Sequence, residues 1–239
     1  MINIYGAPLS QPTRAVMWVC IELGIEFMLV NVDAVKGEHL TADFLGKNPN
    51  AKFPVLETQD IVLWESHAIM KYLIRKFNSN LSPDSPEDQA RVDAWLDWKH
   101  TTLRVGAAGL VRRRVMAKLM KDYSKHSMSF DIKEIPESRE VRILMESLKV
   151  LESQLENGGY VAGTSTPTLA DIAIVCEIEQ LEMLPKSEPP PFGSNFTTNF
   201  PNIARWQRAM HEMSGYKESH KGLAMALKGI ERLRKKSKL

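Results

Sequence analysis

The chain has 239 residues, of which 44% are hydrophobic and 25% charged, as is usual for a globular protein of one or two domains. The net charge is +2, but outside residues 228–239 there are 25 basic and 28 acidic residues, a net charge of −3. This balance argues against nucleic-acid binding, and no apolar run approaches the roughly 18 residues that suggest a membrane span.

The first 78 residues alternate strand and helix signals. Pro12 favours a helix start, because the first turn of a helix does not need the N–H that proline lacks, and Gly24 suits the end of that helix. The predicted elements are a strand at 2–5, a helix at 11–23, a strand at 27–30, a short helix or turn at 39–47, strands at 54–57 and 61–63, and a helix at 65–77. Their order is βαβαββα.

Residues 79–88 have the composition of a linker, and the pattern after them is helical to about residue 228. Thr168 can cap a helix in which Asp171 reaches back to the cap N–H, a variant of the capping box. The predicted helices lie at 90–116, at 137–155, from 168 onward and from 201 to about 215, with a loop at 185–199. We expect the strongly charged residues 229–239 to form a mobile basic tail.

Two isolated cysteines, Cys20 and Cys176, each lie in an apolar helical context. They form no redox pair and, with the scattered histidines, no zinc-ligand spacing, so we expect inert buried thiols and no metal. The N-terminal residues lack the basic and apolar regions of a secretory signal, which predicts an intracellular protein.

Three short motifs carry candidate chemistry. Ser10 lies between a strand and a helix start, where its hydroxyl and outward-pointing N–H groups can hold an anion such as a thiolate, or where it only caps the helix. Phe53 precedes Pro54; a cis bond would leave the Phe53 backbone able to pair with an extended peptide, whereas an ordinary strand-start proline is trans. Glu65 and Ser66 open a helix and suit the ammonium and carboxylate of an amino-acid end, or form a solvated first turn.

Together the three motifs supply groups for a thiol, a peptide backbone and an α-amino acid end, which are the parts of glutathione. The chain resembles the theta class of glutathione transferases, in its plant-like form, over roughly residues 1–228. The matching segments are Leu9-Ser10-Gln11-Pro12-x-Arg14-Ala15-Val16, Lys36-Gly37-x-His39-Leu40, Asn48-Pro49-x-x-Lys52-x-Pro54, Glu65-Ser66-x-Ala68-Ile69 and Trp98-x-His100-Thr101-Thr102-Leu103-Arg104.

The resemblance implies the glutathione transferase fold: an α/β N-terminal thioredoxin-like domain at 1–78 and an all-α C-terminal domain at 89–228 that binds the electrophile. It makes Ser10 the catalytic residue, Arg104 a cation at the electrophile site and Asp171 a structural cap. The glutathione-binding residues that it implies are His39, Lys52, Phe53, Glu65 and Ser66. The chain departs from the usual theta wording at Val105-Gly106, where a second arginine is common, and in a basic, Met-rich segment at 112–133.

The implied reaction uses glutathione as a co-substrate, with no cofactor. Its thiolate attacks small hydrophobic electrophiles or the O–O bond of organic hydroperoxides in a homodimeric enzyme. A non-catalytic ligand carrier of the same fold is the alternative. A thiol-transfer reductase of the superfamily would need a cysteine nucleophile, and no cysteine precedes Cys20.

The sequence ends in Ser237-Lys238-Leu239, which matches a peroxisomal import address. We therefore expect a peroxisomal protein that binds the import receptor. The basic run Arg234-Lys235-Lys236 matches a nuclear signal weakly, and a cytoplasmic protein with a plain basic tail is a third possibility.

Overall fold

The computed structural model describes residues 2–77, 79, 81–117, 136–185 and 196–236. Predictions for the basic segment beyond residue 117, for most of the loop at 185–199 and for Ser237-Lys238-Leu239 lie outside these residues. The described residues form two compact units: one contains the residues up to 79 together with 214–236, and the other contains the residues from 81 to 115 and from 136 to 213.

The first unit is built on a four-stranded mixed sheet, and the predicted βαβαββα order is confirmed. Its strands β1 to β4 are Ile2–Gly6, Phe27–Asn31, Val55–Glu57 and Val62–Trp64, and its helices α1 to α3 are Gln11–Glu22, Ala42–Lys47 and Ser66–Lys76. The strand order is β2-β1-β3-β4. Strand β1 is parallel to β2, and β3 is antiparallel to both β1 and β4.

Helix α1 forms the centre of this unit, because every residue from Thr13 to Cys20 is buried. Cys20 and Cys176 are both buried and neither forms a disulfide, which confirms the predicted burial of the thiols. Burial raises the pKa of Cys20 to about 12. This thiol is therefore un-ionised at neutral pH and is a packing residue rather than a nucleophile.

In the second unit, the described residues form helices and no strands, as predicted. Its helices α4 to α9 are Pro86–Trp98, Arg104–Val111, Glu137–Gln154, Leu169–Glu179, Phe196–Asn199 and Pro201–His211, with π-helical turns at Lys99–Leu103 and Arg112–Met116. Helix α4 begins inside the segment that composition marks as a linker. The reason is that Ser85 accepts a hydrogen bond from the Asp88 N–H at 3.0 Å and Pro86 opens the first turn, so these polar residues form a helix start.

Helix α5 packs closely against α6 at Gly106. A Cβ atom at this position would lie 2.6 Å from the Leu144 nitrogen and 2.8 Å from the Glu140 carbonyl oxygen, so there is no room for a side chain. The departure from the usual theta sequence at Val105-Gly106 therefore has a packing reason.

The C-terminal helices α10 and α11, Tyr216–Ser219 and Lys221–Lys235, belong to the first unit. The sequence predicts a helical domain up to residue 228 and a mobile tail after it, but residues 214–236 belong to the first unit and helix α11 continues to Lys235. Leu223 and Ile230 explain the difference, because residues seven apart share one helix face and both are buried. Most of the basic residues of α11 lie on the other faces. Arg234, four residues after Ile230 on the buried face, is only partly buried, so its charge does not prevent helix formation.

Asp171 fastens the start of helix α7 to its surroundings. One carboxylate oxygen accepts hydrogen bonds from the Val161 N–H and Trp206 Nε1, and the other accepts from the N–H and hydroxyl of Thr168, all at 2.9 Å. The side chain is fully buried, and burial raises the pKa of Asp171 against the effect of these four donors.

The Asp171→Ala substitution should destabilise the second unit severely. It leaves four buried donors without their acceptor, and each such loss costs about 1–3 kcal/mol, so we expect the free energy of unfolding to fall by about 4 kcal/mol or more. Urea denaturation followed by tryptophan fluorescence measures this change. Glu146→Ala, at an exposed position of α6, should remain within about 0.5 kcal/mol of the parent; equal losses in the two variants would refute the role of Asp171.

Candidate active site

The register of the sheet brings the three sequence motifs to one edge. Tyr5 pairs with Val55, and Val55 pairs with Trp64, so the carboxyl ends of β1 and β4 lie beside the amino end of β3. Strand β2 runs parallel to β1, and the segment that contains His39 follows it at the same edge. The loops that carry Ser10, Phe53, Glu65 and His39 therefore all leave the sheet on the same side.

Ser10 is the residue immediately before α1, and its backbone position is well defined. Its N–H donates to the Ala7 carbonyl and its carbonyl accepts from the Arg14 N–H, both at 2.9 Å. Within the described part of the chain, the Ser10 side chain makes no capping hydrogen bond to the first turn of α1. The hydroxyl is therefore not consumed by the helix start, which was the alternative interpretation of this serine.

Arg14 stabilises the loop that carries Ser10, a role that sequence reasoning missed. Its side chain is fully buried, and Nη1 donates to the Leu9 carbonyl at 2.9 Å. Arginine keeps its charge when buried, so its guanidinium must be satisfied by oxygen acceptors. An arginine four residues after a loop serine, inside an otherwise apolar helix face, is the sequence signal that indicates this role.

Tyr5 also carries a hydroxyl near this edge, but the carboxylate of Glu57 binds it. Its hydroxyl donates to Glu57 at 2.5 Å, and the same carboxylate pairs with Lys47 at 2.7 Å. The hydrogen bond to Glu57 is the main cause of a raised pKa for Tyr5. The phenol of Tyr5 therefore donates its hydrogen bond to Glu57 rather than to a ligand.

His39 and Phe53 lie together beside the sheet. The ring of His39 is buried and meets the Phe53 ring edge to face, with centroids 6.5 Å apart. The Phe53–Pro54 peptide bond is cis. Lys52 is exposed, and its carbonyl accepts from Asn48 Nδ2 at 2.6 Å. Asn48 thus shapes the loop that presents Lys52 and Phe53, a role that sequence reasoning did not assign.

Glu65 has an unusual backbone conformation at the start of helix α3. Its φ of 69° and ψ of 114° lie in a region that residues with a Cβ rarely adopt, at a cost of about 1–3 kcal/mol. Ser66 follows as the first residue of α3 and is buried. Strain of this kind is frequent at ligand sites, and here it places Glu65 beside the positive end of the helix dipole.

Arg104 lies in the other unit, and a buried carboxylate engages it there. Its Nη1 contacts Glu177 Oε2 at 2.7 Å, and Lys99 Nζ lies 3.4 Å from the same oxygen. Glu177 and Lys99 are both buried, whereas the Arg104 side chain is about 30% exposed. The cation that the resemblance assigns to the electrophile site is therefore part of an ion cluster rather than a lone arginine.

The charges in this cluster shift one another's ionisation. Burial opposes ionisation of Glu177, but the charges of Arg104 and Lys99 outweigh it and hold the pKa of Glu177 below its ordinary value. Burial lowers the pKa of Lys99, and the charge of Glu177 limits that decrease. The cluster spans a π-helical turn at Lys99–Leu103, a feature often found at functional sites.

Across the described ranges, no group of three or more histidine, cysteine or acidic side chains is arranged to hold a metal ion. A search of the same residues finds no helix with the length and apolar character needed to cross a membrane.

Comparison with known proteins identifies the family. Residues 2–75 match the model for the N-terminal domain of glutathione S-transferases, and residues 115–212 match the model for their C-terminal domain. Glutathione S-transferase T1 of Arabidopsis thaliana is 34% identical over 188 residues, which cover 77% of this chain and 74% of the relative. Human glutathione S-transferase theta-1 is 29% identical over 94% of this chain and 90% of its own length.

The solved structures agree with the sequence matches. Glutathione transferase F7 from Populus trichocarpa superimposes with a TM-score of 0.77 and 26% identity, over 93% of this chain and 99% of that structure. The chain belongs to the glutathione S-transferase family. The predicted fold, a thioredoxin-like domain followed by a helical domain, is confirmed, and so is the predicted resemblance to the theta class.

Removing the carboxylate of the Arg104 cluster tests its electrostatics. Glu177→Gln leaves two cations together in a buried site, and breaking a buried pair in this way typically costs about 3–5 kcal/mol. The pKa of Lys99 should then fall further. Between that pKa and the ordinary lysine value the unfolded chain binds more protons than the folded one, so stability rises with pH in this window.

We therefore expect the Glu177→Gln protein to regain part of its lost stability between pH 7 and pH 10, when unfolding is followed in urea. Glu156→Gln removes an exposed carboxylate from the same unit and serves as the control. If both variants showed the same stability and the same pH dependence, the proposed charge coupling would be absent.

Proposed function

We propose that this protein is a glutathione transferase in which Ser10 stabilises the thiolate of bound glutathione. The observation that supports the proposal is the shared sheet edge of the loops carrying Ser10, Phe53 and Glu65. Strands β1, β3 and β4 are adjacent, so these loops are spread over about 10 Å. An extended tripeptide has about the same length, and the three loops offer partners for a thiol, a peptide backbone and an amino-acid end.

The energetics are sufficient without a protein base. A free thiol with a pKa near 8.5 is mostly protonated at neutral pH, and lowering that pKa by about two units requires about 2.7 kcal/mol. A hydrogen bond from the Ser10 hydroxyl to the thiolate contributes roughly 1.5–3 kcal/mol. The amino end of α1 adds about 0.3–1 kcal/mol.

The roles of the remaining site residues follow from their chemistry. Glu65 would pair with the α-ammonium of glutathione, and the Ser66 hydroxyl and the amino end of α3 would bind its α-carboxylate. The backbone of Phe53 would pair with the cysteine residue of glutathione. His39 and Lys52 would contact the glycine carboxylate.

Two reactions are compatible with such a thiolate. In conjugation, sulfur displaces a leaving group from an activated carbon, forming a C–S bond. In peroxide reduction, sulfur attacks the O–O bond of an organic hydroperoxide and releases the alcohol, and a second glutathione then reduces the resulting sulfenic acid to disulfide and water. We propose small hydrophobic electrophiles and organic hydroperoxides as substrates, with Arg104 at the electrophile site.

A ligand carrier of the same fold is the rival function. The Ser10 hydroxyl that α1 does not use favours the enzyme, because a carrier has no need for a hydrogen-bond donor at the thiol. The proposal also includes a homodimer; Val62 and Trp64 on the edge strand β4 expose 44% and 37% of their surface, and such an apolar edge suits a subunit contact.

The Ser10→Ala substitution should abolish most of the activity while leaving glutathione bound. Loss of one oriented donor to a developing anion commonly lowers turnover about 10²-fold or more. We expect that decrease in kcat/KM with glutathione and cumene hydroperoxide. The ultraviolet absorbance of the thiolate, titrated against pH, should show a higher pKa for the bound thiol.

Tyr5→Phe is the matched control, because it removes a hydroxyl near the same sheet edge that is bonded to Glu57. Its kcat/KM should stay close to that of the parent. Full activity in the Ser10→Ala enzyme would refute the proposed role of Ser10. Glutathione binding without turnover in the parent protein would instead favour the carrier function.

Peroxisomal import remains a separate proposal, and it applies where Leu239 carries the free carboxylate. A fluorescent protein fused before residue 1 should then appear in puncta that coincide with a peroxisomal marker. Deleting Ser237-Lys238-Leu239 should make the fluorescence diffuse and leave activity unchanged. A diffuse or nuclear signal from the full-length fusion would contradict the proposal and favour the cytoplasmic or nuclear alternative.

A further inference from the structure

The first turn of helix α11 lies directly against the loop that carries Ser10. A Cβ atom on Gly222 would lie 2.7 Å from Pro8 Cβ, 2.8 Å from the Pro8 carbonyl oxygen and 2.9 Å from the Pro8 carbonyl carbon. Two of these three atoms belong to the backbone, so a side chain at this position cannot be accommodated by a rotamer change. Only glycine permits this approach, and it occurs two residues before Ser10.

The segment before α11 is fastened to the carboxyl end of helix α1. The Glu22 carboxylate accepts hydrogen bonds from Trp18 Nε1 at 2.9 Å, from the Ser214 hydroxyl at 2.9 Å and from the Gly215 N–H at 2.7 Å. Gly215 also packs on the Trp18 ring, where a Cβ atom would clash with Cδ1. These contacts fix the point at which the C-terminal segment meets α1.

Aromatic contacts fix the turn that leads into α11. The rings of Tyr216 and His220 stack with centroids 4.5 Å apart, and both form T-shaped contacts with the Trp18 ring, with centroids 5.6 and 5.3 Å away. His220 precedes Gly222 by only two residues. The position of Gly222 is therefore set by helix α1, whose other end carries Ser10.

Pro8 lies between two restrained residues of the loop. The Ala7 carbonyl accepts from the Ser10 N–H, and the Leu9 carbonyl accepts from Arg14. Proline has no N–H to donate to a further bond. Packing against Gly222 thus supplies a restraint on Pro8 that hydrogen bonding from its own nitrogen cannot supply.

We propose that Gly222 is a positioning residue for Ser10. Because Gly222 has no side chain, helix α11 packs directly against Pro8 and restricts its position; we call this contact the backstop. The position of Pro8 in turn sets where the Ser10 hydroxyl meets the thiol of glutathione. This inference rests on the proposed function of Ser10. A methyl group on Gly222 would have to move the loop by nearly 1 Å to reach ordinary contact distance, and a misplacement of about 1 Å can lower turnover about 10²-fold.

The chain offers a closely matched pair of variants. Gly222→Ala and Gly229→Ala make the same change in the same helix, but a Cβ atom on Gly229 meets no described atom within 4 Å. Alanine favours helix over glycine at both positions, so a loss confined to Gly222→Ala does not come from weakening α11.

We expect Gly222→Ala to lower kcat by up to about 10²-fold and to raise the pKa of the bound glutathione thiol. The KM for glutathione should change less than about threefold, because the other glutathione contacts lie on different loops. Gly229→Ala should match the parent in every measurement. Equal kinetics in the two variants would overturn the proposal.

Amide hydrogen exchange tests the backstop independently of catalysis. The amides of Leu9 and Ser10 should exchange faster in Gly222→Ala than in Gly229→Ala. Reduced turnover without faster exchange would overturn the proposal, because the loss would not act through the loop. In the Ser10→Ala background, Gly222→Ala should add less than about a twofold effect if it acts only through Ser10.

These measurements separate failure of the positioning role from failure of the proposed function. If Ser10→Ala were fully active while Gly222→Ala still accelerated exchange in the loop, the backstop would stand and the role of Ser10 as thiolate stabiliser would be wrong. If Ser10→Ala were inactive and Gly222→Ala behaved like Gly229→Ala, the positioning role alone would be wrong.

Discussion

The geometry of the Ser10 loop depends on one interaction, the hydrogen bond from the buried Arg14 guanidinium to the Leu9 carbonyl. Arg14 is fully buried in the first turns of α1 and donates to the Leu9 carbonyl. Its charge cannot be removed by deprotonation, so the fold must keep oxygen acceptors around it. The loop carbonyl before Ser10 is one of these acceptors. The hydrogen bond from buried Arg14 therefore restrains the backbone next to Ser10, while the Ser10 hydroxyl makes no capping bond to helix α1.

Two helices begin at the same edge of the sheet as the Ser10 loop. Helix α1 follows β1 and helix α3 follows β4, and the carboxyl ends of these two strands lie at one edge. Each helix presents unsatisfied N–H groups and a partial positive charge there. In the proposed binding mode, two of the three anionic groups of glutathione, the thiolate and the γ-glutamyl carboxylate, lie at these helix starts. Each of these anions then meets the positive end of one helix dipole. This arrangement follows from the directions of β1 and β4, which place both helix starts at the same edge.

Sequence reasoning succeeds where the signal is local. The alternation of strands and helices up to residue 77, and the position of Ser10 before α1, follow from periodicity and turn residues within a few positions. It fails where the contact is distant. Glu177 meets Arg104 across 73 residues, and Gly222 meets Pro8 from the far end of the chain. Distant contacts also explain why the sequence predicts a tail at the end of α11. Its sequence is strongly charged, and the burial of Leu223 and Ile230 depends on residues far away in the chain.

Helix α7 shows why partners, rather than residue types, decide what a buried acid does. Asp171 and Glu177 lie six residues apart in one fully buried helix. Asp171 meets only uncharged donors, and burial raises its pKa; Glu177 meets two cations, which lower its pKa despite equal burial. Asp171 therefore serves the folding of the helix start, whereas Glu177 determines where Arg104 can place its charge. The electrophile chemistry proposed for Arg104 accordingly belongs to the whole cluster with Lys99 and Glu177.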